Sequence, residues 1–183
     1  MNRVILSPAT LPGTALAELK QWLGITTAHD DAVLGDLLDA SLDVCEGFTG
    51  TMPLEAGCEE RLPAWSGRWQ RLATRPVQAI TAIEAIAADG TRTALSSAAW
   101  EADLDTDGTG CVRLLASANA TQLAVRFTAG LTASWDMLPD GLRHGLIRLA
   151  AHQHRERENG GAAPLPPASV AALWRPWRRM RLA

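Results

Sequence analysis

Four groupings of polar residues have the types and spacing that chemistry uses. Asp103-x-Asp105-x-Asp107-Gly108 matches the opening of a calcium loop, where alternate carboxylates supply oxygen ligands. Its twelfth position is Leu114, where a bidentate Glu belongs, so the stretch reads as an acidic hairpin turn, which Asp and Gly favour for backbone reasons alone. His144, His152 and His154 fall in one helical stretch. His144 and His152, eight apart, share a face, while His154 points roughly 160° away from His152. Zinc grips a helix through an i, i+4 pair, so these read as surface or interface histidines. Glu59-Glu60 and Asp30-Asp31 are adjacent pairs whose side chains diverge on any regular element. They read as a solvated surface and a helix cap, not as acid/base partners. No Gly-x-Ser-x-Gly elbow, phosphate loop or dinucleotide fingerprint frames a nucleophile or a cofactor. The sequence predicts no enzyme, no catalytic residue, no metal site and no cofactor.

The richest grouping is terminal. Trp174 and Trp177 stand at i, i+3, close enough to share a helical face, although Pro176 restricts how. Arg175, Arg178, Arg179 and Arg181 surround them. Trp and Arg dominate binding hot spots, and the Pro-rich stretch Ala162–Pro167 gives the segment reach. Leu173, Trp174, Arg175, Trp177, Arg178, Arg179 and Arg181 are therefore expected to dock into a partner. A fold-back of this segment onto its own domain and a short basic membrane-surface helix are the alternatives.

The elements that must position these groups follow from hydrophobic period. Leu16, Leu19 and Leu23 line one face of a helix over 14–23 that stops at Gly24. A second helix starts near Asp30 or Asp31, carries Leu34, Leu37, Leu38, Val44, Cys45 and Phe48 at helical spacing, and ends by Gly50. Residues 51–67 read as irregular, punctuated by Pro53, Gly57, Pro63 and Gly67. Short strand-like pieces follow at 69–72, 77–86, 111–115 and 123–127, with Asp89-Gly90 as a hairpin signal. Pro139 opens a last long helix in which Leu142, Leu146, Leu149 and Ala150 share a face. The expected fold is mainly α with a small antiparallel β insertion, a helical core of three or more helices and an extended C-terminal tail. Leu19, Leu23, Leu34, Leu38, Leu142, Leu146 and Leu149 form its expected core. Residues 1–160 make the domain, with the β insertion at about 69–130, and residues 161–183 the linker and basic tail.

With 183 residues, the chain is long enough to bury about two-thirds of its unfolded surface in one domain. Seven Trp and two Phe with no Tyr is an unusual aromatic set. Cys45, Cys58 and Cys111 are scattered and odd in number, reading as reduced thiols in a cytoplasmically made protein. No signal peptide or membrane-spanning run is evident. Residues 1–140 carry nine Lys/Arg against eighteen Asp/Glu, a net −9. Residues 141–183 carry eight Arg against two Glu, a net +6. An acidic body with a basic end predicts a tail that seeks a partner. A general nucleic-acid binder would be basic throughout, although a small DNA-binding or regulatory module using the basic tail is the alternative function.

Two stretches carry a resemblance to a known family. One runs Leu16-x-x-Leu19-Lys20-x-x-Leu23, His29-Asp30-Asp31-Ala32-x-Leu34, Leu37-Leu38-x-Ala40 and Glu46-Gly47-Phe48-Thr49-Gly50. The other runs Val125-Arg126-Phe127-x-Ala129-Gly130, Leu138-Pro139-x-x-Leu142-Arg143 and His152-Gln153-His154-Arg155-Glu156. In this order, over about residues 11–158, the chain resembles the head–tail connector (adaptor) proteins of long-tailed phages and gene transfer agents. The tail after Gly160 does not align to that family. The resemblance implies a structural adaptor in the neck of a phage-like particle, assembled in the bacterial cytoplasm. It implies a ring of twelve copies that joins the portal protein to a stopper or tail-terminator protein and continues the DNA channel. DNA would pass only as cargo, and no membrane would take part. Docking of the tail on the portal is inferred from its own chemistry, not from the family.

Overall fold

The helical periods of the sequence become four α-helices in a computed structural model that describes residues 3–156 and 166–178. They are α1 (Gly13–Leu23), α2 (Asp31–Thr49), α3 (Asp140–Glu156) and α4 (Ala168–Trp174). Eight strands accompany them: β1 (Arg3–Ser7), β2 (Ala56–Pro63), β3 (Gln70–Arg71), β4 (Val77–Ile86), β5 (Arg92–Ala94), β6 (Trp100–Leu104), β7 (Gly110–Leu114) and β8 (Gln122–Ala129). The chain forms two compact units, one of residues 1–9 and 55–130, the other of residues 10–54 and 131–183.

The second unit holds the helices. α1 and α2 stop at Gly24 and Gly50, both in the left-handed conformation at φ 74° and 72°, which glycine adopts without a Cβ penalty. Lys20 and Asp31 form an ion pair of 2.5 Å between α1 and α2. α3 packs against α1, α2 and α4. Leu19, Leu34, Leu38, Leu142, Leu146 and Leu149 are buried here, whereas Leu23, the last residue of α1, is half-buried. Trp135, in a 3-10 turn before α3, is also buried, and its indole N–H donates to Glu18 Oε1 at 3.2 Å.

The first unit is antiparallel β. A five-stranded sheet runs β1-β2-β8-β4-β5 and a three-stranded sheet runs β3-β7-β6. β8 lies in the middle of the larger sheet with Leu123, Ala124 and Val125 all fully buried, so both its faces are covered. The expected mainly α protein with a small β insertion is thereby corrected: two antiparallel sheets and four helices make a mixed α and β fold.

The reason lies in β2, which crosses the stretch read as irregular. Its pleat sends Glu59 and Glu60 to opposite faces, and both carboxylates are buried. Glu59 accepts two hydrogen bonds from the Arg92 guanidinium, at 2.8 and 2.9 Å, and a longer one from Arg126 at 3.4 Å. Glu84 joins the same arginines at 3.3 and 3.0 Å. Glu60 accepts the backbone N–H of Ala73, at 2.9 Å from its nearer oxygen, and that of Thr74 at 3.4 Å. These acids are therefore not the solvated surface expected of them. Strand recognition relies on polar residues facing water, and here charge faces inward because charge and hydrogen bonds meet it there. Pro63 fits as the final residue of β2, where a missing donor costs least.

Two outcomes test this architecture. Leu38→Ala or Leu146→Ala should each lower unfolding free energy by about 2–5 kcal/mol, read by denaturant titration, because each removes fully buried methyl groups. The Arg92 hydrogen bonds hold the Glu59 carboxyl below the usual range, against an opposing effect of burial. A depressed folded pKa stabilises the protein above the unfolded value of about 4.3, and that stability disappears as pH falls through the folded value. Glu59→Gln should be less stable than wild type at neutral pH by about 1–3 kcal/mol. Its stability should also fall less steeply below about pH 4.3. An acid limb identical to that of wild type would show that Glu59 is not a source of the pH dependence.

Candidate functional site

Two glycines in the first two turns of α3 organise the C-terminal segment. Glycine inside a helix costs about 1 kcal/mol relative to alanine, so Gly141 and Gly145, one turn apart, need a packing reason. The reason is tryptophan. A Cβ on Gly145 would stand 2.1 Å from Trp174 Nε1, and one on Gly141 would stand 2.8 Å from Trp177 Cη2. The two indoles lie against bare helix backbone, and the Trp174 N–H donates to the Leu142 carbonyl at 3.3 Å. α4 thus docks on α3 through Val170 and Trp174, both buried. Pro176 does not break the arrangement, because residues 175–177 form a 3-10 turn with the proline near its start.

The rest of the segment faces outward. Arg175 and Arg178 are exposed, and Leu173 and Trp177 are half-buried. The Arg178 guanidinium lies 5.1 Å from the Phe48 ring centroid, and that ring lies 6.2 Å from Trp174 with planes inclined at 48°. The sequence grouped Leu173, Trp174, Arg175, Trp177, Arg178, Arg179 and Arg181 as one docking surface. The structure separates them: Trp174 fills the interior of its own unit, Arg175 and Arg178 are presented to solvent, and Arg179 and Arg181 lie outside the described residues. Trp174 packs against its own unit, in the slot that Gly145 leaves bare. The spacing Gly141-x-x-x-Gly145 before a Trp-x-x-Trp pair was a visible signal for this contact, and sequence periodicity alone passed over it.

The remaining polar groupings have structural partners. Asp103, Asp105 and Asp107 belong to the β6–β7 hairpin, where Asp107 Oδ1 accepts the Thr109 N–H at 2.8 Å. His144 meets Trp22 edge to face, with centroids 5.2 Å apart, and His152 lies 3.2 Å from Glu156. Among the described residues, no group of three His, Cys, Asp or Glu is placed to hold a metal ion. An open cleft of about 590 Å³ is lined by Glu18, Trp22, Asp140, Arg143, His144 and Ile147. There Glu18 accepts the Trp135 N–H at 3.2 Å, and Arg143 lies 3.3 Å from Asp140. Cys45, Cys58 and Cys111 form no disulfide, and burial pushes the Cys45 thiol up to about 12, far from a reactive thiolate. No helix among the described residues is long and apolar enough to cross a membrane. What the arrangement does offer is surface: an arginine-bearing terminal segment held in place by two indoles.

Comparison with solved structures gives likenesses over the full length. One is to a chain of the virion of a native gene transfer agent (GTA) particle, 30% identical, with a TM-score of 0.76, covering 100% of this chain and 98% of that one. Another is to a chain in the neck of an empty GTA particle computed with C6 symmetry, 29% identical, with a TM-score of 0.76. It covers 98% of this chain and 97% of that chain. A third is to a chain in the neck of a native GTA particle computed with C12 symmetry, 30% identical, with a TM-score of 0.73 and the same shares of the two chains covered. No protein-family model matches the chain, and no curated protein is significantly similar to it.

The slot makes a sharp prediction. Gly145→Ala, which improves helix propensity, should nevertheless destabilise the protein and shift tryptophan emission to the red as the Trp174 indole is displaced toward water. Trp174→Ala should cost about 3–5 kcal/mol in thermal or denaturant unfolding. A Gly145→Ala protein at least as stable as wild type would mean that α4 does not occupy this slot.

Proposed function

Because the chain belongs to the head–tail connector (adaptor) family of phage-like particles, we propose that it is a non-enzymatic ring subunit seated between the portal and the stopper or tail-terminator protein. The full-length likeness to a chain of the GTA virion, at 30% identity, carries this reading. The sixfold and twelvefold symmetry of the related necks supports a closed ring. In this reading twelve copies continue the DNA channel, and DNA passes through as cargo. Subunits are made and assembled in the bacterial cytoplasm. An acid-rich body suits such a channel, since phosphate contacts through Lys and Arg otherwise dominate affinity and would make DNA stick.

The portal-facing surface in this proposal is the basic end, residues 161–183, with its emphasis moved from the indoles to the arginines. Trp174 acts as the internal anchor. Arg175 and Arg178, joined by Arg179 and Arg181, meet portal carboxylates, and the exposed parts of Leu173 and Trp177 add apolar contact. Removing residues 169–183 would also remove Val170 and Trp174 from the interior, so a truncation would confuse folding with docking. Charge reversal separates them. Arg175→Glu with Arg178→Glu should leave thermal stability close to wild type, because both side chains are exposed. In producing cells the same variant should yield DNA-filled heads without tails, as deletion of the gene should. Normal head–tail joining by the double variant would move the portal contact to another surface. Normal joining in the deletion strain would defeat the adaptor reading itself.

A further inference from the structure

A closed ring of identical subunits needs two different, complementary surfaces on each copy, and two surfaces of this chain carry unpaired charge of opposite sign. The first is the β3 edge of the β3-β7-β6 sheet and the loop before it, with Glu101 and Asp103 farther across the same face on β6. Trp65 and Trp69 are 53% and 45% exposed there. Arg68 stacks over Trp65 at 5.1 Å and Arg113 over Trp69 at 4.8 Å. Trp69, just before β3, and Arg71, in it, stand two residues apart on one side of the extended chain, and Arg113 follows beside them on β7. Arg113 is held by Glu101, whereas Arg68 and Arg71 are exposed and make no ion pair among the described residues. Stacked Arg–Trp pairs form a rigid cationic and aromatic surface, the composition enriched at binding hot spots.

The second surface is one side of α2. Asp36, Asp39 and Asp43 stand at i, i+3, i+7, all exposed and none in an ion pair among the described residues. α2 contains five acids and no base. Partial burial, then the neighbouring Asp36 and Asp43, raise the Asp39 carboxyl above its usual range, so the ridge repels itself while no cation faces it. Between the acids the surface is small: Ala40 and Gly47 are exposed on the same side. Apart from its chain neighbours and the adjacent helix backbone, no atom of the described residues comes within 4 Å of where a Gly47 Cβ would stand, in contrast to Gly141 and Gly145. Small exposed residues between the acids leave room on the ridge for large side chains such as indoles.

Resting on the ring reading above, we propose that the Trp65–Arg68–Trp69–Arg71 face of each subunit docks on the Asp36–Asp39–Asp43 ridge of the next copy. This contact is heterologous, so each copy offers one surface to each neighbour, the kind of contact a closed ring requires. Being polar and partly exposed, it is weakened by salt, and it favours assembly where copies are concentrated on a template.

Reciprocal charge reversal tests this in producing cells that carry only the variant gene. Arg68→Glu with Arg71→Glu, and separately Asp39→Arg with Asp43→Arg, should each leave the purified protein as stable as wild type. Each should reduce joined head–tail particles on the order of tenfold or more. Combining the four substitutions restores opposite charge across the interface and should recover most of the joining. Gly47→Leu should block joining while leaving stability unchanged or higher. Wild-type joining by either reversed variant overturns the proposal, as does failure of the combined variant to recover although it folds. So does a ridge variant that forms normal necks but alters DNA retention, since the ridge would then face the channel. A gene deletion with normal particles would instead defeat the ring reading, and the two failures are thereby told apart.

Discussion

Everything about the C-terminal end depends on the absence of two methyl groups. Gly141 and Gly145 strip one side of α3 to its backbone, and the Trp174 indole lies in the space that a Cβ at 145 would occupy. The indole N–H finds its acceptor in the Leu142 carbonyl, so the buried donor is satisfied without a polar side chain. That single fit fixes α4 on α3. It also brings Trp174 beside Phe48 of α2, with Arg178 over the other ring. The segment has no acid to pair with its arginines locally, and once its indoles are fixed the arginines are what remains to offer outside.

The strand unit solves a different problem. It carries charge into a sheet, at Glu59, Glu60, Glu84, Arg92 and Arg126, and neutralises it by cross-strand pairing or by backbone N–H groups. Buried charge of this kind contributes less net stability than its short distances imply, because desolvation offsets the attraction. Its larger effect is on register. Glu59 meets Arg126 directly across β2 and β8, and a one-residue slip would turn that carboxylate to the opposite face, away from both arginines. The network therefore selects one pairing of strands in a sheet whose apolar alternation is weak.

These internal pairings decide which charges are left over. Glu59, Glu84, Arg92, Arg126, Lys20, Asp31, Arg113 and Glu101 are largely spent within the chain. Asp36, Asp39 and Asp43, together with Arg68, Arg71, Arg175 and Arg178, are among the described charges that stay exposed and make no ion pair. In the ring proposed above, a subunit would have neighbours on both sides and partners above and below, and exposed residual charge is a means of telling those contacts apart. Long-range attraction orients the partners, and close packing of aromatic side chains then supplies specificity.

The sequence by itself determined the three long helices, their glycine stops and nearly all of their buried leucines, because helical period is a local property that Leu19, Leu34, Leu38, Leu142, Leu146 and Leu149 express directly. It also carried the family resemblance, which rests on the order of those same elements. It did not yield β1, β2 or β6. An apolar run at the first residues, a strand with glutamates facing inward and a strand of mixed polarity have no clear alternation, so only pairing with β2, β8 and β7 respectively makes them strands. The balance of helix and sheet was lost with them. Tertiary structure alone decided that Glu59 and Glu60 are interior and that Trp174 is an anchor. Burial of a charge depends on which partners distant parts of the chain bring to it. Burial of an indole depends on a slot whose two glycines lie about thirty residues away in sequence, and no local pattern contains either fact.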